Sequence, residues 1–432
     1  MINFLLNIKS LLSVLPMKSV YLFFFICLIN PLNISAQPTS LHDLLEKNRD
    51  AFSEILDHPE KYEVQIIYTQ INRDEHNYPS FKTYRYQVNP KKYFYPASTV
   101  KMPAAFLALE KLNQLNILGL DKSSKMMTDQ GQPPQSIAHV DSTAANLSPS
   151  IEHYIKKIFL VSDNDAFNRL FEFLNVDYFN KSLWKKGYHD LHIIHRLGGE
   201  GARFDLEGNR YTNPIRFFNG DELVYFQGES YGQIQPRPGL KNVFKGKGHY
   251  NRAGEKKMYP FDFSHKNYCS LENLHEMLKT VIFPEAIAPY QRFDLTAKDY
   301  QFLYRSMSAR PRTSQYPAYD KPDAYVKFFL YGGTTETIPE SIHIFNKVGY
   351  AYGFLSDIAY IIDVEHQVEF LLSAVIHVND NQIYNDNNYQ YDEIGLPFLA
   401  KLGEVIYEHE KRRPKKHLPN LDEYLSEKQD NK

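Results

Sequence analysis

The chain is short of cysteine, tryptophan, net charge and long apolar runs. It has two cysteines and one tryptophan in 432 residues. Cys27 lies inside an apolar N-terminal run, so cleavage after Ala36 would leave Cys269 alone. That excludes an internal disulfide and a thiolate metal cluster, and leaves the fold to be held by its core. A formal net charge of −2 gives no global attraction to nucleic acid or to an anionic membrane. The run from Val20 to Ile29 is too short to span a bilayer comfortably. The sixteen histidines, His192 and His195 among them, fall in no H-E-x-x-H or comparable spacing, so neither a metal nor another cofactor is expected. There is no internal repeat and no long low-complexity segment.

The composition is otherwise that of a folded protein, with 43% apolar and 23% charged residues. The length suits one large or two modest domains. The 32 tyrosines and 29 phenylalanines favour strands and aromatic-lined pockets. Met17-Lys18, the apolar run and Ser35-Ala36-Gln37 read together as an export signal over residues 1–36, with a periplasmic or secreted destination.

Helical spacing over 40–57 gives way to strand-like Tyr62–Ile71 and Phe81–Val88. From Ser98 the pattern turns helical, with Val100, Met102, Phe106, Leu107, Leu109 and Leu112 on a broad apolar face. Residues 121–150 read as a loop, and Ile151–Leu160 and Asp165–Leu174 as two helices. Arg196–Pro214 is a glycine-rich surface loop, and 217–267 an irregular, short-stranded decoration. After two further helices come strand-like Ser341–Val348, Gly353–Ile362 and Val368–Val378, then a closing helix, Ile394–His409. The order α-β-β, helical, β-β-β-α predicts an α+β fold: one antiparallel sheet built from both chain ends, with a helical subdomain over about 98–215 inserted between. The folded domain is expected over 37–410, followed by a charged, frayed tail at 411–432.

Ser98 and Lys101 stand three residues apart where a helix begins, so they share a face and the amine can reach the hydroxyl. A serine hydroxyl is a poor nucleophile at neutral pH and needs such a base. The base works only when burial or a nearby cation depresses its pKa. Alone the pair is weak, because Ser182-Leu-Trp-Lys185 has the same pattern. Two later motifs single it out: Ser162-Asp-Asn164, at a junction between helices, and Lys347-Val-Gly349, at a strand end.

S-x-x-K, S-D-N and K-T-G in that order are the signature of class A β-lactamases and penicillin-binding proteins. Over most of residues 40–410 the chain resembles these serine hydrolases. Its third motif lies late, which implies a long insertion, most of it in 217–267. The resemblance implies that Ser98 attacks a carbonyl with Lys101 as base, and that Ser162 passes a proton to the departing nitrogen. Asn164 would hold the substrate amide and brace Lys101. Lys347 would face Lys101 across the cleft and attract an anionic substrate, with Gly349 beside it. The backbone N–H groups of Ser98 and Tyr350 would form the oxyanion hole. A loop glutamate would activate the deacylating water, and Glu200 is the first candidate, ahead of Glu207 and Asp205.

Three positions depart from the pattern. Val348 replaces a hydroxyl that helps bind the substrate carboxylate, Tyr350 is bulky, and the loop lacks E-x-x-L-N. The expected activity is acyl-enzyme hydrolysis of a β-lactam by an exported monomer, with D-alanyl-D-alanine peptidase, penicillin-binding or other amidase or esterase activity as the alternative. The expected partner is thus a small molecule, a β-lactam or a peptidoglycan-like amide. A non-catalytic envelope-binding or sensory domain would instead leave Ser98 unacylated.

Overall fold

The computed structural model describes residues 40–201, 203–233 and 239–425, without the side chains of Gly199 and Glu200. The expected export segment, 1–36, and the last seven residues of the expected tail (426–432) lie outside the described residues. The chain divides into two compact units, Met1–Leu44 and Leu45–Lys432. In the first, residues 41–44 begin the helix Leu41–Lys47. The candidate site residues all belong to the second.

Five long strands form the central sheet: β1 (Gln65–Arg73), β2 (Pro79–Tyr86), β3 (Ile342–Ala351), β4 (Phe354–Asp363) and β5 (Val368–His377). Their order is β3-β4-β5-β1-β2, antiparallel throughout. The two chain ends therefore meet at the β5–β1 pair, where Tyr68 lies opposite Leu372. The β1–β2 hairpin closes because the Asp74 carboxylate accepts the N–H groups of His76 and Tyr78 at 2.9 and 2.8 Å.

β4 and β5 are buried at every position. That reading of a strand requires cover on both faces. Helices α6 (Leu271–Ile282), α7 (Ala297–Ser308) and α8 (Leu396–Arg412) pack on β3–β5 to provide it. Between β2 and β3 the chain forms α2 (Lys101–Leu115), α3 (Ile151–Val161), α4 (Asn164–Leu174) and α5 (Val176–Lys185), after α1 (Arg49–Asp57) ahead of the sheet. The strands Lys125–Thr128, Ile215–Asn219 and Glu222–Gln227 add a small antiparallel sheet beside these helices. The architecture is a β-lactamase-like α+β fold.

Two regions are more ordered than the sequence suggests. The segment 217–267 ends as part of the core rather than as decoration: Phe263 within it and Tyr268 just after it are buried, and their rings lie 5.4 and 5.7 Å from Tyr93. Residues 411–425 are not frayed. Arg413 is buried, donates to Glu410 at 2.9 Å and to the Ile71 carbonyl at 2.8 Å, and so ties the tail to β1. Tyr424 packs on Phe345 and Tyr360. A charged composition hid one buried ion pair and one aromatic anchor.

Candidate active site

Ser98 sits on a tight 3-10 turn, Ala97–Val100, that runs directly into α2. The turn is entered through Ala97 at φ 47°, a left-handed conformation that a non-glycine residue holds only when its surroundings enforce it. They do so here: Ala97, Thr99 and Val100 are all buried, and the Thr99 hydroxyl donates to the Pro96 carbonyl at 2.7 Å. α2 is apolar nearly all round and buried from Lys101 to Glu110, which is how a helix through the middle of a domain reads. Ser98 itself is half-buried. Its N–H lies in the first turn of the helix, where amides lack an intrahelical acceptor.

Ser162-Asp-Asn164 joins α3 to α4, and each residue has a structural task. Ser162 closes α3 in the left-handed conformation (φ 59°), and the Asp163 carboxylate caps α4 by accepting from Ala166 N at 2.8 Å. Asn164 then opens α4. This geometry turns the polar face of the junction toward Lys101. The Lys101 amine, fully buried, donates to the Ser162 carbonyl, to Asn164 Oδ1 at 2.7 Å and to Ser162 Oγ at 3.3 Å.

From the other side, Lys347 on β3 donates to the same Ser162 Oγ at 2.8 Å and to the Val348 carbonyl at 2.8 Å. One hydroxyl therefore bridges two buried amines. Neither amine has a hydrogen-bonded carboxylate among the described residues. Burial lowers the Lys101 pKa to about 7, with the Asp163 charge opposing. Burial also pushes Lys347 well below the ordinary lysine value, and the Lys101 charge adds to the effect. Burial is the leading cause for both amines, and both move down.

β3 brings Gly349 against the serine turn. A Cβ at Gly349 would stand 2.6 Å from the Pro96 carbonyl and 3.0 Å from Ser98 N, so only glycine allows this approach. The next residue, Tyr350, follows on the same strand with its side chain half exposed, against Phe328 and Tyr391. Val348 is buried.

The loop after Arg196 is fixed to α4. Asn168 accepts from Leu197 N at 2.8 Å and donates to its carbonyl at 3.1 Å. The buried Glu172 carboxylate binds the Arg196 guanidinium at 3.0 Å and Asn213 Nδ2 at 2.8 Å. A Cβ at Gly198 would meet Asn164 Nδ2 at 2.3 Å, which places the helical turn Gly198–Gly201 directly over Asn164. The backbone of Glu200 lies in that turn, and its side chain lies outside the description. Asp205 and Glu207 take other partners: Asp205 accepts from Gly208 N, and Glu207 from the Tyr231 hydroxyl.

The structure thus gathers Ser98, Lys101, Ser162, Asn164, Lys347 and Gly349 around one centre. One expected contact differs. No hydrogen bond from the Lys101 amine to the Ser98 hydroxyl is formed among the described residues, because three acceptors on Ser162 and Asn164 occupy that amine. Sequence reasoning missed the loop anchors Asn168, Glu172 and Asn213. Asn168 was the readable one, one turn beyond Asn164 on the same helical face. Among the described residues no cluster of histidine, cysteine and carboxylates could hold a metal ion.

Residues 49–233 match the sequence model of the Beta-lactamase enzyme family. Among solved structures the chain is similar to a β-lactamase from Sphaerobacter thermophilus, at 11% identity and TM-score 0.44 over 85% of this chain and 99% of that one. It is similar at 13% identity and TM-score 0.44 to the β-lactamase of Streptomyces albus G, over 83% and 98%. For the protein titled PBP-A the values are 12% and 0.45, over 86% and 98%. At these distances the likenesses add no argument of their own. No curated protein matches the chain.

Proposed function

We propose that the protein is an exported serine hydrolase that forms an acyl-enzyme on Ser98, with β-lactam hydrolysis as its reaction. The observation that carries the reading is the buried Lys101–Ser162–Lys347 bridge beside the serine turn. A lysine whose pKa lies near 7 is neutral in half its copies at neutral pH, which suits a general base. Lys101 takes the Ser98 proton as the hydroxyl oxygen attacks the carbonyl carbon. The tetrahedral oxyanion is held by the N–H groups of Ser98 and Tyr350, which Gly349 lets come together. Collapse breaks the C–N bond, and Ser162, bridged to both lysines, hands a proton to the departing nitrogen. Deacylation requires an activated water, for which Glu200 is the proposed base on the strength of its loop's position over Asn164. Residues 1–36 would direct the chain to the periplasm or outside.

A second reading within the fold is a penicillin-binding type that acylates and then stalls. Val348 in place of a hydroxyl residue and the missing E-x-x-L-N favour it. The purified protein, incubated with a chromogenic cephalosporin and a fluorescent penicillin, separates the two. Turnover supports hydrolysis, and a long-lived adduct in the intact mass supports the stalled type. No reaction, with Ser98→Ala indistinguishable from wild type, contradicts both.

A further inference from the structure

A cavity of about 580 Å³ adjoins the candidate site, and its walls come from the same elements. Tyr95, three residues before Ser98, forms one wall, and Tyr352, two residues after Tyr350, forms another; their rings meet edge-on at 5.0 Å. Gly198, which abuts Asn164, lines a third side. The far wall belongs to the inserted segment, with Phe261, Lys266 and Arg252.

Among the described residues, the cavity wall carries two cations, Lys266 and Arg252, without ion-pair partners. The Lys266 amine lies 5.8 and 5.9 Å from the ring centres of Phe261 and Tyr352, and Arg252 is held by one donation to the Phe204 carbonyl at 2.9 Å. The lining carboxylate among the described residues, Asp205, already accepts from Gly208 N. Two deeper groups are incompletely used. Arg196, 2% exposed, is neutralised by Glu172, yet its Nη1 has no partner. His195 donates from Nδ1 to the Arg196 carbonyl at 2.6 Å, so Nε2 is a free acceptor, and it too is buried without a partner. A buried polar atom without a partner is costly. These two lie behind the cavity wall, while Lys266 and Arg252 line it together with the aromatic rings. Meanwhile the third motif has lost its hydroxyl at Val348, and the Lys347 amine is occupied by Ser162 and Val348.

We propose that this cavity is a subsite for an acyl-donor side chain that combines an aromatic ring and a carboxylate. The inference rests on acylation at Ser98. The carboxylate is held by Lys266 and Arg252, and the ring by Tyr95, Phe261 and Tyr352.

Benzylpenicillin and carbenicillin test it, because they differ by one carboxylate on the acyl side chain. The second-order rate of acylation is measured for the whole protein with each. Wild type is expected to prefer carbenicillin about tenfold, the effect of one charge-assisted hydrogen bond. Lys266→Met and Arg252→Gln each reduce that ratio severalfold, and Lys266→Arg keeps it. A wild-type ratio at or below one, or a ratio unmoved in variants that melt like wild type, overturns the proposal. Calorimetry of phenylmalonate on the Ser98→Ala protein reads the cavity without chemistry and without altering its walls. Tight binding relative to phenylacetamide is expected, and equal or absent binding overturns the subsite. If neither penicillin acylates Ser98 while phenylmalonate binds, the acyl-enzyme reading fails and the anion site stands. If acylation proceeds without preference or binding, only the subsite falls.

Discussion

The state of Lys101 is the most exposed point of the mechanism. Burial takes its pKa from 10.5 to about 7, and the amine is a base only when neutral. The sign follows: acylation is slow below the pKa, rises through it and levels above it. The neutral fraction is about a tenth at pH 6, half at pH 7 and nine-tenths at pH 8, so the rate should climb about tenfold across that range. An unburied lysine would be neutral in about three parts in ten thousand at pH 7 and would keep gaining tenfold per unit up to pH 10. The assay is the second-order rate of fluorescent-penicillin labelling from pH 5.5 to 9.5. Lys101→Arg, a permanent cation, should lose about 10²–10⁴-fold at every pH. A flat profile, or one still rising steeply at pH 9, would refute the assignment of Lys101 as the base.

Gly349→Ala would push a methyl into the Pro96 carbonyl and Ser98 N, so acylation should fall at least about tenfold, as for a damaged oxyanion hole; labelling rates alongside melting curves check it. Glu172→Ala would leave the Arg196 guanidinium buried without its counter-ion, a loss of about 3–5 kcal/mol. Urea unfolding reads that loss, and a change under 1 kcal/mol would argue against the anchor. Glu200→Gln should lengthen the acyl-enzyme lifetime about 10²-fold or more, seen by time-resolved intact mass; an unchanged lifetime would move the role to another group. Arg413→Ala breaks the buried pair with Glu410 and should cost about 3 kcal/mol in the same urea assay.

The sheet and helices were legible because their periods are clean. β4 and β5 read as largely apolar runs, broken by Ser356-Asp357 in one and by Glu369 and Ser373 in the other, and the three motifs landed on a helix start, a helix junction and a strand. What the sequence hid was satisfied polarity. The motifs marked Lys101 and Lys347, but not that one Ser162 hydroxyl bridges both buried amines. Arg413 and Tyr424 read as tail because their partners, Glu410, Ile71 and Phe345, come from other elements. The inserted segment has no period at all, since Asn267 and the rings of Phe263 and Tyr268 fix it through contacts distant in sequence. Asn267 accepts the N–H of Ile194 at 2.8 Å and of His195 at 3.0 Å. The same lack of local signal concealed the cavity that this segment helps to enclose.

Peptide mapping after exposure to a penicillin tests the central claim most directly. The account predicts a penicilloyl mass on the peptide that carries Ser98, absent from Ser98→Ala and strongly reduced in Lys101→Arg. Labelling of another residue, or equal labelling in Ser98→Ala, would contradict it.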